Sequence, residues 1–79
     1  MKERRGKLIE AEDAYVIALE LDSNHGFAYL GLGRVQSKLE RVKEALKSIE
    51  KSIALLKEDY RPYMVRGDIY YSIGDYERA

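Results

Sequence analysis

Apolar residues recur every three or four positions through most of the chain, the spacing typical of one face of an α-helix. This pattern predicts helices over about 8–21, 27–38, 42–56 and 62–73. The only proline falls in the first turn of the fourth segment, where its missing N–H costs no hydrogen bond. Gly74 and Asp75 are predicted to end that helix. Short connections between successive helices predict an antiparallel all-α arrangement.

The sequence also matches itself when it is shifted by 34 residues. Gly33 then falls on Gly67, Ala11 on Ala45, and Leu19 on Ile53, so small residues meet small ones and large apolar residues meet large ones. Small side chains in the middle of paired helices let the two backbones approach closely. A fixed period of this length predicts a stack of two-helix repeats.

These residues resemble the tetratricopeptide repeat family, whose unit is 34 residues long. Residues 63–70 carry its first-helix motif, with Arg66 where the family has leucine, and residues 29–36 carry the motif with the Leu-Gly pair intact. The tyrosines of the motif, among them Tyr70 and Tyr76, are expected at core positions. The resemblance implies an all-α fold of antiparallel helix-turn-helix repeats, stacked as a short right-handed α-solenoid. Glu40 departs from the pattern, because it lies in the inter-helix turn where Gly6 and Gly74 lie in the partial repeats.

The phase of the repeats divides the chain into one full unit and two partial ones. Residues 26–59 form the full repeat, whereas 1–25 and 60–79 are partial repeats. Solenoid repeats bury their apolar faces only against neighbours, so the partial repeats would leave some apolar residues partly uncovered in a monomer. These residues are Tyr70, Tyr76, Leu8 and Ile9. The chain is therefore expected to be part of a longer array, or to form a homo-oligomer through its incomplete terminal repeats.

Composition makes several classes of partner and location improbable. Fourteen basic and fourteen acidic residues give a formal net charge of zero, so no overall field attracts nucleic acid or an anionic membrane. The basic start of the chain is not followed by an apolar signal-peptide segment. We therefore expect no nucleic acid partner, no membrane partner and, by default, a cytoplasmic location.

Candidate catalytic and metal-binding residues are few. The single histidine, His25, falls in a turn and is expected to be a solvated turn residue. Carboxylates such as Glu12 and Asp13 are expected on a solvated helix face, and the Gly31-Leu32-Gly33 segment lacks the third glycine and the preceding strand of a phosphate loop. The sequence therefore predicts no enzyme activity, no cofactor and no metal site.

The resemblance instead implies a partner-binding groove lined by the first helix of each pair. Carried over onto this sequence, it predicts an apolar strip, aromatic anchors and a basic margin that suit a protein or peptide ligand with apolar and some acidic groups. An alternative is that Phe27 and Leu30 only cover a neighbouring repeat. A rival role for the whole chain is structural self-assembly within a larger repeat protein. The predicted groove residues are Phe27, Leu30, Arg34, Lys38, Arg61, Met64, Asp68 and Tyr71.

Overall fold

The chain folds into four α-helices. The computed structural model describes the backbone of residues 2–78 and the side chains of residues 5–74. The helices are α1 (Lys2–Leu21), α2 (Gly26–Lys38), α3 (Val42–Leu55) and α4 (Arg61–Arg78). The backbone over 2–78 contains no β-strand, and the prediction of an all-α helical repeat is confirmed.

The α2–α3 hairpin holds the centre of the fold. Ala45 and Ile49 are fully buried in a cluster with Leu30 and Ile69. Gly33 makes the close approach of α2 and α3 possible, because a Cβ atom there would lie 2.5 Å from Ile49 Cδ1 and 3.3 Å from the Ala45 carbonyl oxygen. The predicted packing role of the small residue at position 33 is therefore confirmed.

Two buried hydrogen bonds fix the register of this hairpin. The Ser48 hydroxyl donates to Gln36 Oε1 at 2.7 Å, and the Ser52 hydroxyl donates to the Gly26 carbonyl oxygen at 3.1 Å. Buried polar groups cost free energy when they are unpaired, so sliding one helix along the other would break both bonds at a cost.

The turn between α2 and α3 is closed by a Schellman motif. The Glu40 N–H donates to the Ser37 carbonyl at 3.0 Å and the Arg41 N–H donates to the Gln36 carbonyl at 2.9 Å. The motif places Glu40 in the left-handed region, at φ 64°. Glycine is the usual residue there because it has no Cβ, so the glutamate is strained at this position.

Two predicted turns are absent from the described backbone. α1 runs continuously through Gly6, and α4 continues through Gly74 to Arg78, so the prediction that Gly74 and Asp75 end the fourth helix is wrong. Neither glycine has a positive φ, and neither Cβ position has a described atom within 4 Å. A glycine inside a helix costs only about 1 kcal/mol, so without a following helix packed against it the chain stays helical.

The flanking helices are covered on one side only. Among the described helices, α1 packs against α2 alone, and α4 packs against α3 and α2. Tyr63 on α4 is 45% exposed, so the expectation that it is a core residue is wrong for this structure. Tyr70 is 54% exposed, which agrees with the expectation that it is partly uncovered in a monomer. The expected core role of Tyr76 lies outside the described side chains.

One carboxylate predicted to be solvated is buried. Glu12 on α1 is 9% exposed and pairs with the Arg41 guanidinium, just before the start of α3. The ion pair ties α1 to the α2–α3 turn. The prediction of a solvated Glu12 is therefore wrong, because a cation from outside its own helix compensates the burial of its charge.

Candidate partner-binding surface

Helices α2 and α4 lie side by side on one face of the molecule, where a shallow depression of about 210 Å³ opens between them. Five of the eight predicted groove residues line it, together with one residue that the sequence did not indicate. We call this the α2–α4 surface. Its lining residues are Leu30, Arg34, Arg61, Met64, Val65 and Asp68.

The 34-residue period explains why these side chains meet. Leu30 and Met64 occupy the same repeat position, and so do Arg34 and Asp68. Adjacent repeats therefore place two apolar residues, Leu30 and Met64, on the two sides of the gap between the helices. They also place Arg34 and Asp68, which have opposite charges, on the two sides of the same gap. The period alone did not indicate Val65, whose repeat equivalent is Gly31.

The floor of the depression belongs to the core. Leu30 is only 6% exposed and packs in the cluster with Ala45, Ile49 and Ile69. It therefore forms the base of the surface and not an exposed strip. Met64, at 59% exposure, supplies the accessible apolar side chain.

Arg61 is held in place by two neighbours. Its guanidinium donates to the Asp59 carboxylate from Nε at 3.0 Å and from Nη2, and its backbone N–H donates to Asp59 Oδ1 at 2.9 Å. The guanidinium also lies 4.9 Å from the centroid of the Phe27 ring. Phe27 thereby joins the α2–α4 surface indirectly, through the cation that lies over its ring.

The contact with Asp59 changes the charge available at this surface. Hydrogen bonds from Arg61 lower the pKa of Asp59 from 3.8 to about 2, and the carboxylate in turn raises the pKa of Arg61. The Arg61 charge is thus already paired. Among the side chains of residues 5–74, Arg34 and Lys38 have no ion pair, so they are the free cations of the predicted set.

Two of the predicted residues lie apart from this surface. Lys38 lines a separate depression of about 180 Å³ with Tyr15 and Leu8 of α1, and Arg34 lies at the border of both depressions. Tyr71 is 72% exposed and lines neither depression. Lys38 therefore extends the basic side of the predicted groove towards α1. Tyr71 lies outside both depressions.

A further depression is one that the sequence did not predict. It has a volume of about 800 Å³ and is lined by the consecutive residues 55–61. A single loop forms it, with no second element opposite, so it lacks the walls that would enclose a ligand.

His25 has a structural role beyond that of a solvated turn residue. Its side chain is exposed, as predicted, but Nδ1 accepts a hydrogen bond from the Ala28 N–H at 3.1 Å and so caps the N-terminus of α2. Among the described residues, no group of three or more histidine, cysteine or acidic side chains could hold a metal ion. No described helix is long and apolar enough to cross a membrane.

Comparison with known proteins agrees with the repeat architecture. A family model described as tetratricopeptide repeat matches residues 28–56 and 60–79, which together exceed half of the chain. No curated protein and no solved structure gives a significant match. The chain belongs to the tetratricopeptide repeat family, typically a non-catalytic module whose repeats generally mediate protein–protein interaction.

Proposed function

We propose that the chain binds a short peptide segment of a partner protein on the α2–α4 surface. The observation that carries the proposal is the joint position of Met64, Arg34 and Asp68 around one depression, with Leu30 and Val65 as its base. Its volume of about 210 Å³ is below the 300–1,000 Å³ that is typical of small-molecule sites. A depression of that size suits one side chain of a peptide better than a complete metabolite.

The chemistry of the lining suggests which peptide fits. Leu30, Val65 and Met64 favour an aliphatic or aromatic anchor, because burying such a side chain contributes about 1.5–3 kcal/mol. Arg34 has no ion pair within the described chain and can form two parallel hydrogen bonds with a carboxylate. Asp68 can accept a backbone N–H from the ligand. The preferred peptide therefore has an apolar anchor next to an acidic residue.

The direct test is selection of binding peptides from a random library with the full chain, followed by affinity measurement on the enriched sequences. We expect enrichment of an apolar residue flanked by Asp or Glu. Arg34→Glu should weaken binding at least tenfold, whereas Lys47→Glu, which makes the same charge change on exposed α3, should not. Equal affinity of both variants would contradict the proposal. Leu30→Asp is a poor test, because Leu30 packs in the core.

A second role, self-association, is favoured by a separate observation. The outward face of α4 carries exposed Tyr63 and Tyr70 and has no described helix against it. We propose that the incomplete repeats associate between copies of the chain. Light scattering over a range of protein concentrations tests this role, because association predicts a mass above 9.1 kDa that falls on dilution. The absence of nucleic acid and membrane partners and the cytoplasmic location stay predictions.

A further inference from the structure

The α2–α4 surface has an arginine at each end. At one end, which we call the Arg61 end, the Arg61 guanidinium lies over the ring of Phe27. At the other, the Arg34 end, Arg34 and Asp68 lie on the two sides of the gap between the helices. Phe27 and Arg34 are separated by about two turns of α2, which is about 10 Å. An extended peptide rises about 3.3 Å per residue, so a segment of about four residues reaches both ends.

At the Arg61 end, the guanidinium is fixed and its charge is compensated. Its Nε and Nη2 atoms donate to the Asp59 carboxylate, which also accepts the Arg61 backbone N–H at 2.9 Å. The lowered pKa of Asp59, about 2, keeps that carboxylate charged at neutral pH. A ligand carboxylate that approached Arg61 would therefore be repelled by Asp59 about as strongly as it was attracted.

The same guanidinium still has hydrogen-bond donors to offer. An arginine side chain has five N–H donors, and Asp59 occupies only the edge formed by Nε and Nη2. The Nη1 hydrogens of Arg61 make no hydrogen bond within the described part of the chain, and its side chain is 51% exposed. Donors on a fixed group without net charge suit a neutral acceptor, such as the carbonyl oxygen of a peptide.

The Arg34 end has the opposite character. Arg34 and Lys38 are exposed, lie one turn apart on α2 and form no ion pair with any described side chain. Asp68 lines the same depression but is not paired with Arg34. An uncompensated guanidinium donates two parallel hydrogen bonds to a carboxylate. One end of the surface therefore suits a charged group of the ligand, and the other suits a neutral one.

Phe27 favours the same division. Its ring is 48% exposed even with Arg61 over it, so the Arg61 end also presents apolar area. A charged ligand side chain placed against this ring would lose hydration without gaining a partner. An uncharged one would bury apolar area against it.

We propose that a bound peptide lies along the α2–α4 surface in one orientation, with its acidic residue at Arg34 and an uncharged stretch of its backbone at Arg61. Its apolar anchor lies between them, over Leu30 and beside Met64. This orientation deepens the peptide-binding function proposed above and rests on it. Asp59 then determines specificity without touching the ligand, because it cancels the charge of Arg61 and so excludes a second acidic residue from that end.

Selection from one random peptide library against two proteins tests the orientation. The proteins are the parent chain and Asp59→Asn, compared for helicity by circular dichroism. In the parent, we expect each enriched sequence to carry Asp or Glu on one side of the apolar anchor only. In Asp59→Asn, the Arg61 charge is uncompensated, so enriched sequences should carry acidic residues on both sides. The control Asp13→Asn removes the same charge from the exposed face of α1, which does not pack on α4, and should reproduce the parent profile.

Affinity measurements with the parent chain give a test that does not depend on the folding of Asp59→Asn. The most enriched peptide is synthesised, together with a derivative that carries Glu on the side of the anchor away from the acidic residue. We expect the parent to bind the derivative no more tightly than the original, because Asp59 repels the added charge. Asp59→Asn should bind the derivative about fivefold more tightly, the upper range for an exposed ion pair.

A double-mutant cycle assigns the acidic residue to its arginine. Replacing that residue of the peptide by Asn should weaken binding to the parent about fivefold and leave binding to Arg34→Gln unchanged, because the pair is already broken. With Arg61→Gln, the same change in the peptide should still cost about fivefold. A cycle that couples the acidic residue to Arg61 and not to Arg34 would reverse the proposed orientation and refute it.

The other outcomes separate the orientation from the function on which it rests. If the parent enriches no peptide, peptide binding fails and the orientation fails with it. If the parent enriches peptides that carry acidic residues on both sides of the anchor, or binds the Glu derivative more tightly than the original, only the orientation fails. An unchanged profile for a folded Asp59→Asn would also overturn it.

Discussion

Alanine at Gly33 and alanine at Gly67 should change stability in opposite directions, although the two glycines occupy the same position in successive repeats. At Gly33, the added methyl would lie 2.5 Å from Ile49 Cδ1 and 3.3 Å from the Ala45 carbonyl oxygen. Ile49 is fully buried and the carbonyl belongs to the backbone, so little room exists for either to move. At Gly67, no described atom lies within 4 Å of the methyl.

The magnitudes follow from two opposing effects. Replacing glycine by alanine inside a helix favours folding by about 1 kcal/mol, and only this effect acts at Gly67. Overpacking a filled core costs about 1–3 kcal/mol, which exceeds the helix gain at Gly33. We therefore expect Gly67→Ala to raise the free energy of unfolding by about 1 kcal/mol and Gly33→Ala to lower it by about 1 kcal/mol.

Urea unfolding followed by circular dichroism at 222 nm measures both changes, at a protein concentration where light scattering gives a monomer. The free energy of unfolding of so small a domain falls by about 1 kcal/mol per molar urea. The unfolding midpoints of the two variants should therefore lie about 2 M apart, with the midpoint of the parent between them. If both variants shifted in the same direction, the assignment of a filled position 33 and an open position 67 would be refuted.

Three further changes probe the local structure, each by urea unfolding. Glu40→Gly should stabilise the chain by about 1 kcal/mol, because glycine adopts the left-handed conformation without strain. His25→Ala should destabilise it by about 1 kcal/mol, because the Ala28 N–H at the start of α2 loses its acceptor. Asp59→Asn should destabilise the chain above pH 4. Its lowered pKa of about 2 means that the ionised Asp59 stabilises the fold above pH 3.8, an effect lost as the pH falls through 2.

Each of these changes has a matched control. Glu40→Ala removes the same side chain but keeps a Cβ, so it should lack the gain of the glycine variant; equal stability of the two would contradict the strain at position 40. His25→Asn restores a capping oxygen and should recover most of the loss, whereas no recovery would argue against the cap. For Asp59, the parent and the Asn variant should converge towards pH 2, and a constant difference from pH 2 to 5 would contradict the ion pair with Arg61.

The repeat period predicts much of the fold because residues at the same position of successive repeats make equivalent contacts between neighbouring helices. Gly33 and Ala45 recur at 34 residues, and their close approach in the α2–α3 hairpin is the contact that this recurrence predicts. The turn predicted at Glu40 is present, whereas the turns predicted at glycines are absent from the described backbone. The chain turns at Glu40 and stays helical at Gly6 and Gly74, because the packing of α3 against α2 decides the turn and the local residue does not.

Burial could not be predicted where it depends on contacts from distant parts of the chain. Leu30 follows the pattern of a groove residue, but it packs against Ile69, 39 residues later, which leaves it as the base of the depression. Glu12 follows the pattern of a surface carboxylate until Arg41 approaches from outside its helix. A helical period shows which residues share a face and leaves open what packs against that face.

Nuclear magnetic resonance tests most directly whether the partner binds on the α2–α4 surface. A peptide selected from a random library is titrated into the ¹⁵N-labelled chain, and the shifts of the backbone amides are mapped. We expect the largest changes to cluster at Leu30, Arg34, Met64 and Asp68. Largest changes on the exposed side of α3, around Lys47, would contradict it.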